Sequence, residues 1–384
     1  MIITANIGSA SKKYSLFRDA KKILSAHFEQ EGKNLVVTWN NDGTLLKESV
    51  SPEQYEQAAH LVLEHAKQHG ALSAIGVRVV APGTYFQKHQ QITSEFITAL
   101  EKTQEFAPLH IDATLTEIKQ LQELFPTTPM VAISDSAFHS TLPAVASTYA
   151  LPREIAEKFE LRRFGYHGLS LSSIVEKLRD SDGKVPEKVI ICHLGSGSSI
   201  TALKNSASIA TSMGFSPLEG LVSSTRSGSI DPSIALLLAE KSGLSPRELE
   251  KKLNSESGLL AVGGSSDIRE LLKMEKKGDT NAKLALEILV SKIREYIGAY
   301  AVTLGGLDAI VFTGTIGERS AVIRERILAD LEFLKIKLAT RVNNKLLGET
   351  DGEIQKPASK VALYVFKANE AETMAKAART LLSL

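Results

Sequence analysis

The sequence predicts an α/β protein built from two related halves, each with a mixed sheet at its centre. Three observations carry this. First, a short pattern occurs twice. It reads Ile2-Ile3-Thr4-Ala5-Asn6-Ile7-Gly8-Ser9-Ala10-Ser11 near the start and Val189-Ile190-Ile191-Cys192-His193-Leu194-Gly195-Ser196-Gly197-Ser198-Ser199-Ile200 near the middle. Placing Gly8 on Gly195 puts Asn6 on His193 and Ser11 on Ser198, so one strand-and-glycine-turn unit recurs far along the chain. Second, β-branched runs ending in Gly, Ser, Asp or Pro alternate with segments of helical spacing, the pattern of an α/β chain. Third, residues 15–46 read as antiparallel hairpins with Asn40-Asn41-Asp42-Gly43 as a turn, so the sheet is not purely parallel.

In chain order, buried strands are expected at 2–5, 35–39, 74–80, 130–133, 189–193, 309–313 and 361–365. Residues 51–69 open with Ser-Pro-Glu, an N-cap with proline at the first helical position, and predict a helix. Helices follow at 92–103 and 231–242. Residues 282–304 predict a long, mostly apolar and buried helix, and 368–382 an amphipathic, alanine-rich terminal one. The regions 180–188 and 348–359, rich in Gly, Asp, Pro and Lys, are the linker candidates, the second being equally a surface loop before the last strand.

The 384 residues suggest two or three domains, and 43% hydrophobic with 23% charged residues is a globular composition. A net charge of +1 argues against a nucleic-acid binder, so an anionic ligand must meet local positive charge. The single cysteine, Cys192, excludes an internal disulfide framework. There is no apolar run of about 18 residues and no basic leader, so the expectation is a cytoplasmic protein with no membrane partner.

Five places can carry chemistry. Small residues from Asn6 to Lys13 let backbone N–H groups approach an anion. Gly195-Ser196-Gly197-Ser198-Ser199 repeats that logic after a second strand, without the Gly-Lys of a Walker loop. In Arg162-Arg163-Phe164-Gly165-Tyr166-His167-Gly168, flanking glycines place His167 on a constrained loop rather than a helix face. Arg226 lies in a Ser/Thr/Gly stretch just before a helix starting at Asp231-Pro232, where it can donate two bonds to a carboxylate or phosphoryl group. Phe312-Thr313-Gly314-Thr315-Ile316-Gly317-Glu318-Arg319 is a third strand-to-glycine turn, opening a helix at about Ser320. Taken singly, each also reads as an ordinary turn, a structural histidine or a solvated arginine.

Taken in order, the pieces resemble the acetate kinase and short-chain acyl kinase family over nearly the whole chain. The family's opening Asn-Ala-Gly-Ser-Ser-Ser-x-Lys is similar to Asn6–Lys13, its Arg-Val-Val to Arg78-Val79-Val80 and its Ala-Pro-Leu-His to Ala107-Pro108-Leu109-His110. Asp135-Ser136-Ala137-Phe138-His139, the stretch 162–168, Cys192-His193-Leu194-Gly195, Ser212–Gly220, Thr225-Arg226-Ser227-Gly228 and Asn369-Glu370 continue the series.

The resemblance implies two ribonuclease H-like domains with mixed five-stranded sheets and helices around a nucleotide cleft. One would hold residues 1–136 with 371–384, the other 137–370. It implies phosphoryl transfer between ATP and a short carboxylate with Mg²⁺, giving ADP and an acyl phosphate, and a homodimer. The implied catalytic residues are Arg78, Asp135, His167 and Arg226. Val80, Leu109 and Pro232 would line the acyl pocket. Lys13, His193, Gly195, Gly197, Asp267, Ile268, Arg269, Thr315, Gly317 and Glu318 would serve the nucleotide, and Asn6 and Glu370 the metal. Because the nucleophile is already ionised near neutral pH, the reaction needs positioning and charge neutralisation rather than a base.

Several positions depart from the family pattern. Its Val-His-Gly-Gly is Val80-Ala81-Pro82-Gly83, and its His-Gly-Thr-Ser-His ends in Leu171. Ser196, Ser229, Ile268 and Arg319 also differ from the usual residues. Leu171 in place of a polar histidine suggests a larger or more apolar substrate. Acetate is the simplest substrate, propionate or butyrate the close rival, and a nucleotide-binding sensor without turnover the rival from another class.

Overall fold

The computed structural model describes residues 1–8, 11–31, 34–106 and 108–384, with the side chains of 108–110 and 182 also outside the description. The chain forms two compact units, Met1–Ala137 with Asn369–Leu384, and Phe138–Ala368.

Unit 1 contains β1 (Ile2–Ile7), β2 (Ser11–Arg18), β3 (Lys21–Glu31), β4 (Asn34–Asn41), β5 (Thr44–Ser49), β6 (Ala74–Val79), β7 (Gln90–Gln91) and β8 (Met130–Ser134). They form one eight-stranded sheet in the order β5-β4-β3-β2-β1-β6-β8-β7. Unit 2 contains β9 (Lys188–Leu194), β10 (Ser198–Lys204), β11 (Ala207–Thr211), β12 (Ala309–Thr313), β13 (Gly352–Glu353) and β14 (Ala362–Val365). Their order is β11-β10-β9-β12-β14-β13.

The duplication is explicit in this topology. The run β3-β2-β1-β6-β8 matches β11-β10-β9-β12-β14, in each case with antiparallel pairing up to the central strand and parallel pairing beyond it. A five-stranded core is therefore common to both units. Unit 1 widens it with β4, β5 and β7, and unit 2 with β13. The two copies of the repeated pattern are the turns β1–β2 and β9–β10.

Why the central strands read as unbroken apolar runs is plain in unit 2. Ile190 and Cys192 of β9, Ile310 and Phe312 of β12, and Leu363 and Val365 of β14 enter one core cluster. Their alternates Val189, Ile191, Ala309, Val311 and Tyr364 enter another. Successive side chains point to opposite faces and both faces are covered, so both must be apolar. The edge strand β5 is exposed along its whole length and carries Lys47 and Glu48, residues that suit an unpaired edge.

The helices used below are α1 (Gly168–Asp182), α2 (Pro232–Lys241), α3 (Pro246–Ser255), α4 (Gly258–Gly263), α5 (Ile268–Lys276), α6 (Thr280–Leu304), α7 (Gly314–Arg319) and α8 (Glu370–Leu382). α8 returns the chain to unit 1, where Met374, Ala375 and Ala378 are buried as it packs on β1, β6 and β8.

Four expectations are modified. The helix expected at 51–69 is two, Pro52–Glu56 and Ala58–Lys67, because Gln57 leaves helical geometry; the Ser51 cap holds, in a capping box with Gln54. The helix expected near Ser320 is present as Ala321–Leu328, capped by Ser320, but an unexpected short helix, Gly314–Arg319, precedes it. α6 buries a single stripe, including Leu286, Leu289, Ile293 and Ile297, and leaves Val302 exposed, so it is amphipathic. Neither 180–188 nor 348–359 links the units: both lie within unit 2, and the chain changes unit after Ala137 and after Ala368.

Candidate active site

In unit 1 the parallel strands β1, β6 and β8 place three polar residues at their C-terminal ends. Asn6 is near the end of β1, Arg78 near the end of β6, and Asp135 directly after β8, held by its N–H on the Val79 carbonyl at 3.0 Å. Arg78 Nη2 donates to Asp135 Oδ2 at 2.8 Å and Nη1 to Asn6 Oδ1 at 3.0 Å. Asn6 Nδ2 in turn donates to Glu370 Oε2 at 3.0 Å, at the first turn of α8. The result is a continuous chain, Asp135–Arg78–Asn6–Glu370.

The Asp135 side chain is 1% exposed and that of Arg78 16%, so the pair is largely withdrawn from water. Burial alone would lower the Arg78 pKa, but the carboxylates of Asp135 and Glu370 outweigh it and push the pKa up, keeping the guanidinium charged. Arg78 Nε is buried with no hydrogen-bond partner among the described residues. His89 braces the same strand end: its Nδ1 accepts from the Ser134 N–H at 3.1 Å, and burial lowers its pKa despite the nearby Asp135 carboxylate.

Val80 follows Arg78 by two residues and is half-buried, and Lys13 is exposed opposite Asn6 in the β1–β2 register. Ser9, Ala10 and the side chain of Leu109 lie outside the described residues.

In unit 2 a second cluster surrounds the glycine turn between β9 and β10. His167 precedes α1 on a loop, as expected, and the structure gives it φ 62°, a left-handed conformation. Its ring stacks on that of His193, with centroids 4.1 Å apart. A Cβ built on Gly197 would lie 2.9 Å from Arg226 Nη1 and 3.5 Å from His167 Nε2. Only glycine leaves both groups where they are, directly over the turn.

Arg226 is delivered by a tightly bonded loop. The Ser224 N–H donates to the Ser196 carbonyl at 3.1 Å, and the Ser227 N–H to Leu253 at the end of α3 at 3.0 Å. Thr225 Oγ1 donates to the Asn254 carbonyl at 2.8 Å. Gly258, with φ 64°, opens α4 against the backbone of Arg226 itself.

The third glycine turn, at the start of α7, presses on the second. Gly314, with φ 76°, sits against the Leu194 carbonyl, and the Thr315 N–H lies beside Gly195. Glu318 is turned inward: its Oε1 accepts from the Gly314 N–H at 3.0 Å and from the Ala368 N–H at 3.2 Å. Gly317 packs on Phe312 and Cys192. Within this unit the structure thus brings together His167, His193, Gly195, Gly197, Arg226, Thr315, Gly317 and Glu318.

Three further expected residues lie at the start of α5. Asp267 caps α5 and pairs with Arg269 at 2.6 Å, while Ile268 is a core residue 6% exposed. Arg269, mainly through that hydrogen bond, lowers the Asp267 pKa. These three share no described hydrogen bond with the glycine turns. Pro232 is the exposed first residue of α2, just after the Asp231 cap. Leu171 is a core residue. It is fully buried in a core cluster with Ile174, Val175, Leu178 and Ile191, so the exchange for histidine is a packing change that says nothing of substrate size.

Reading the sequence alone passed over two supports. Arg324 is fully buried and donates to the carbonyls of Gly317 and Glu318, both at 2.8 Å, closing α7 from behind; burial lowers its pKa to about 10. Ser170 and Ser199 bond the two histidines, at 2.8 and 2.9 Å. The serines carry a weak sequence signal, three residues after His167 and across the hairpin from His193. The arginine carries none, since its surroundings come from distant segments.

A duplicated α/β fold, with an arginine–carboxylate chain in one unit and an arginine and two histidines over a glycine turn in the other, defines a phosphotransferase. The acetokinase family model matches residues 1–376. The acetate kinase of Bacillus cytotoxicus is 39% identical over 98% of this chain and 97% of its own. Among solved structures, a propionate kinase from Francisella tularensis superposes with a TM-score of 0.90 at 34% identity, covering 99% of each chain. The Porphyromonas gingivalis acetate kinase gives 0.86 at 32%, again over 99% of each. The chain belongs to the acetokinase family, phosphotransferases with ATP and a carboxyl-group acceptor.

Proposed function

We propose that this chain transfers the γ-phosphoryl group of ATP directly to a carboxylate oxygen of acetate, reversibly, giving ADP and acetyl phosphate. The observation that carries this is the convergence of Arg226 Nη1 and His167 Nε2 over Gly197. Two donors aimed at one point above a glycine turn are what a phosphoryl group with charge on its equatorial oxygens requires. In the in-line step the carboxylate oxygen forms a bond to phosphorus as the bond to the ADP oxygen breaks. Arg226 and His167 would stabilise the transferring group, and Arg78, held charged, would attract and orient the carboxylate. His193, Gly195, Gly197 and the Thr315–Gly317 turn would serve the nucleotide phosphates. Glu318 would hold that turn in shape from within. The two units, Met1–Ala137 with Asn369–Leu384 and Phe138–Ala368, would be the functional domains, within a residue or two of the expected 1–136 with 371–384 and 137–370.

The donor set fits Mg²⁺. Among the described residues no group of three His, Cys, Asp or Glu could hold a metal ion. Mg²⁺ needs no such cage, since it keeps several waters and takes one or two carboxylates plus phosphate oxygens. Glu370 would supply the carboxylate. Asn6, with its amide shared between Arg78 and Glu370, would orient it. Bound there, the ion would offset charge on the phosphates.

The second reading, propionate or butyrate as acceptor, is favoured by the similarity to the Francisella propionate kinase. Hydroxamate trapping of acyl phosphate over acetate, propionate and butyrate decides between them: the acceptor with the highest kcat/KM is the substrate. If none gives product above background, the kinase reading fails and ATP binding without turnover becomes the better account.

The enzyme is further proposed to work as a cytoplasmic homodimer. No described helix is long and apolar enough to cross a membrane. α2 buries none of its residues, and Leu236 and Leu237 are 72% and 55% exposed. An apolar helix left bare in one chain marks an interface. Sedimentation should show a dimer for the native chain and a monomer for the double variant Leu236→Glu, Leu237→Glu; a monomeric native chain would remove the proposal.

A further inference from the structure

Four side chains around the unit 2 glycine turn form a closed, crossed arrangement. His167 and Ser170 are three residues apart at the start of α1, a spacing that shares a helix face. His193 of β9 lies directly opposite Ser199 of β10 in their antiparallel register. The bonds run across, not within, these pairs. His167 Nδ1 meets Ser199 Oγ at 2.9 Å, and His193 Nδ1 meets Ser170 Oγ at 2.8 Å. Both serines are fully buried. The other ring nitrogens face the turn: His167 Nε2 is 3.5 Å from a Cβ built on Gly197, and His193 Nε2 3.8 Å from one built on Gly195.

The partner's chemistry matters more than its presence. A carbonyl or carboxylate at Nδ1 accepts only, so it keeps the proton on Nδ1 and leaves Nε2 of a neutral ring as an acceptor, the wrong group to meet a phosphoryl oxygen. A hydroxyl both donates and accepts. It can donate to a bare Nδ1 in the neutral ring and accept from Nδ1–H in the imidazolium. In both of these states Nε2 carries the hydrogen; the remaining form, a neutral ring whose Nδ1–H donates to the hydroxyl, would leave Nε2 an acceptor, and the serine excludes it only by donating its own hydrogen to Nδ1.

We propose that Ser170 and Ser199 are positioning residues that hold His193 and His167 as Nε2–H donors toward the phosphoryl oxygens at the Gly195–Gly197 turn, whichever charge each ring carries. Because the rings stack, a change at one serine also disturbs the ring held by the other. This rests on the proposed function for the identity of the oxygens, but not for the state of the rings.

The test is ¹⁵N NMR of histidine-labelled, substrate-free protein, which has 9 histidines, with the two signals assigned by His167→Gln and His193→Gln. Both rings should show the Nε2–H form when neutral. Ser199→Ala and Ser170→Ala should each mix the tautomers and lower kcat roughly 5–10-fold, the scale of one neutral hydrogen bond, with little change in KM for ATP. Ser199→Thr, which keeps the hydroxyl on a strand, should restore the tautomer. A native Nδ1–H form in either ring, or alanine variants with unchanged spectra or unchanged kcat, overturns the proposal. If the native protein phosphorylates no carboxylate, the functional reading fails, while the spectra still decide the role of the serines.

Discussion

Arg226→Ala should lower kcat by about 10²–10³-fold, the usual cost of removing one preorganised donor from a developing charge. The melting midpoint should stay near that of the native protein. The loop that carries Arg226 is held by its backbone, through Ser224 to Ser196, Ser227 to Leu253 and Gly258 against residue 226, and none of these bonds uses the guanidinium. Arg226→Lys should not recover the rate, because an ammonium is a point charge without the planar fork. Gly197→Ala should act the same way from the other side. Its methyl group would meet Arg226 Nη1 at 2.9 Å, the far end of a flexible side chain, which moves away without unfolding anything. A stable, fully active Gly197→Ala enzyme would mean that the guanidinium is not used where the structure places it.

Asp135→Ala should destabilise unit 1 by about 3–5 kcal/mol, because it leaves the Arg78 guanidinium largely buried without its carboxylate partner. Trp39, the only tryptophan, is 4% exposed in the core of unit 1, so its fluorescence in a urea titration follows that unit. A large drop in the midpoint and loss of activity are expected together. The double variant Arg78→Met, Asp135→Leu should recover much of the midpoint and none of the activity. Buried ion pairs are often replaceable by apolar residues as far as stability goes. If Asp135→Ala left the Trp39 transition unmoved, the pair would not be a closed, water-poor unit.

Much of this was legible in the chain. Residues whose role follows from local chemistry could be read directly: the apolar runs that had to be buried, the Ser51 and Asp231 caps, the Asp42-Gly43 turn, and the constrained loop at His167. The repeated strand-and-glycine-turn pattern announced the duplication, because the same local demand met twice leaves the same residues. His167 and Arg226 stood out because a titratable or charged residue among glycines has few purely structural reasons to be there, whereas Arg78 and Asp135 came only through the resemblance to the family.

What the sequence could not decide depends on distant partners. Leu171 looked like a pocket residue, and packing makes it core. The Oε1 of Glu318 accepts from the backbone of Gly314 and Ala368, a bracing role that the sequence did not show. Arg324 was invisible until the carbonyls of α7 and the 343–346 segment closed around it. The sequence by itself determined the strands, the repeat and the family, because these rest on periodicity and on short spacings. Only the tertiary structure decided which polar atoms are already satisfied and which side chains converge on the glycine turn. Hydrogen bonding and burial join residues separated by up to hundreds of positions, and no local pattern encodes which pairs will meet.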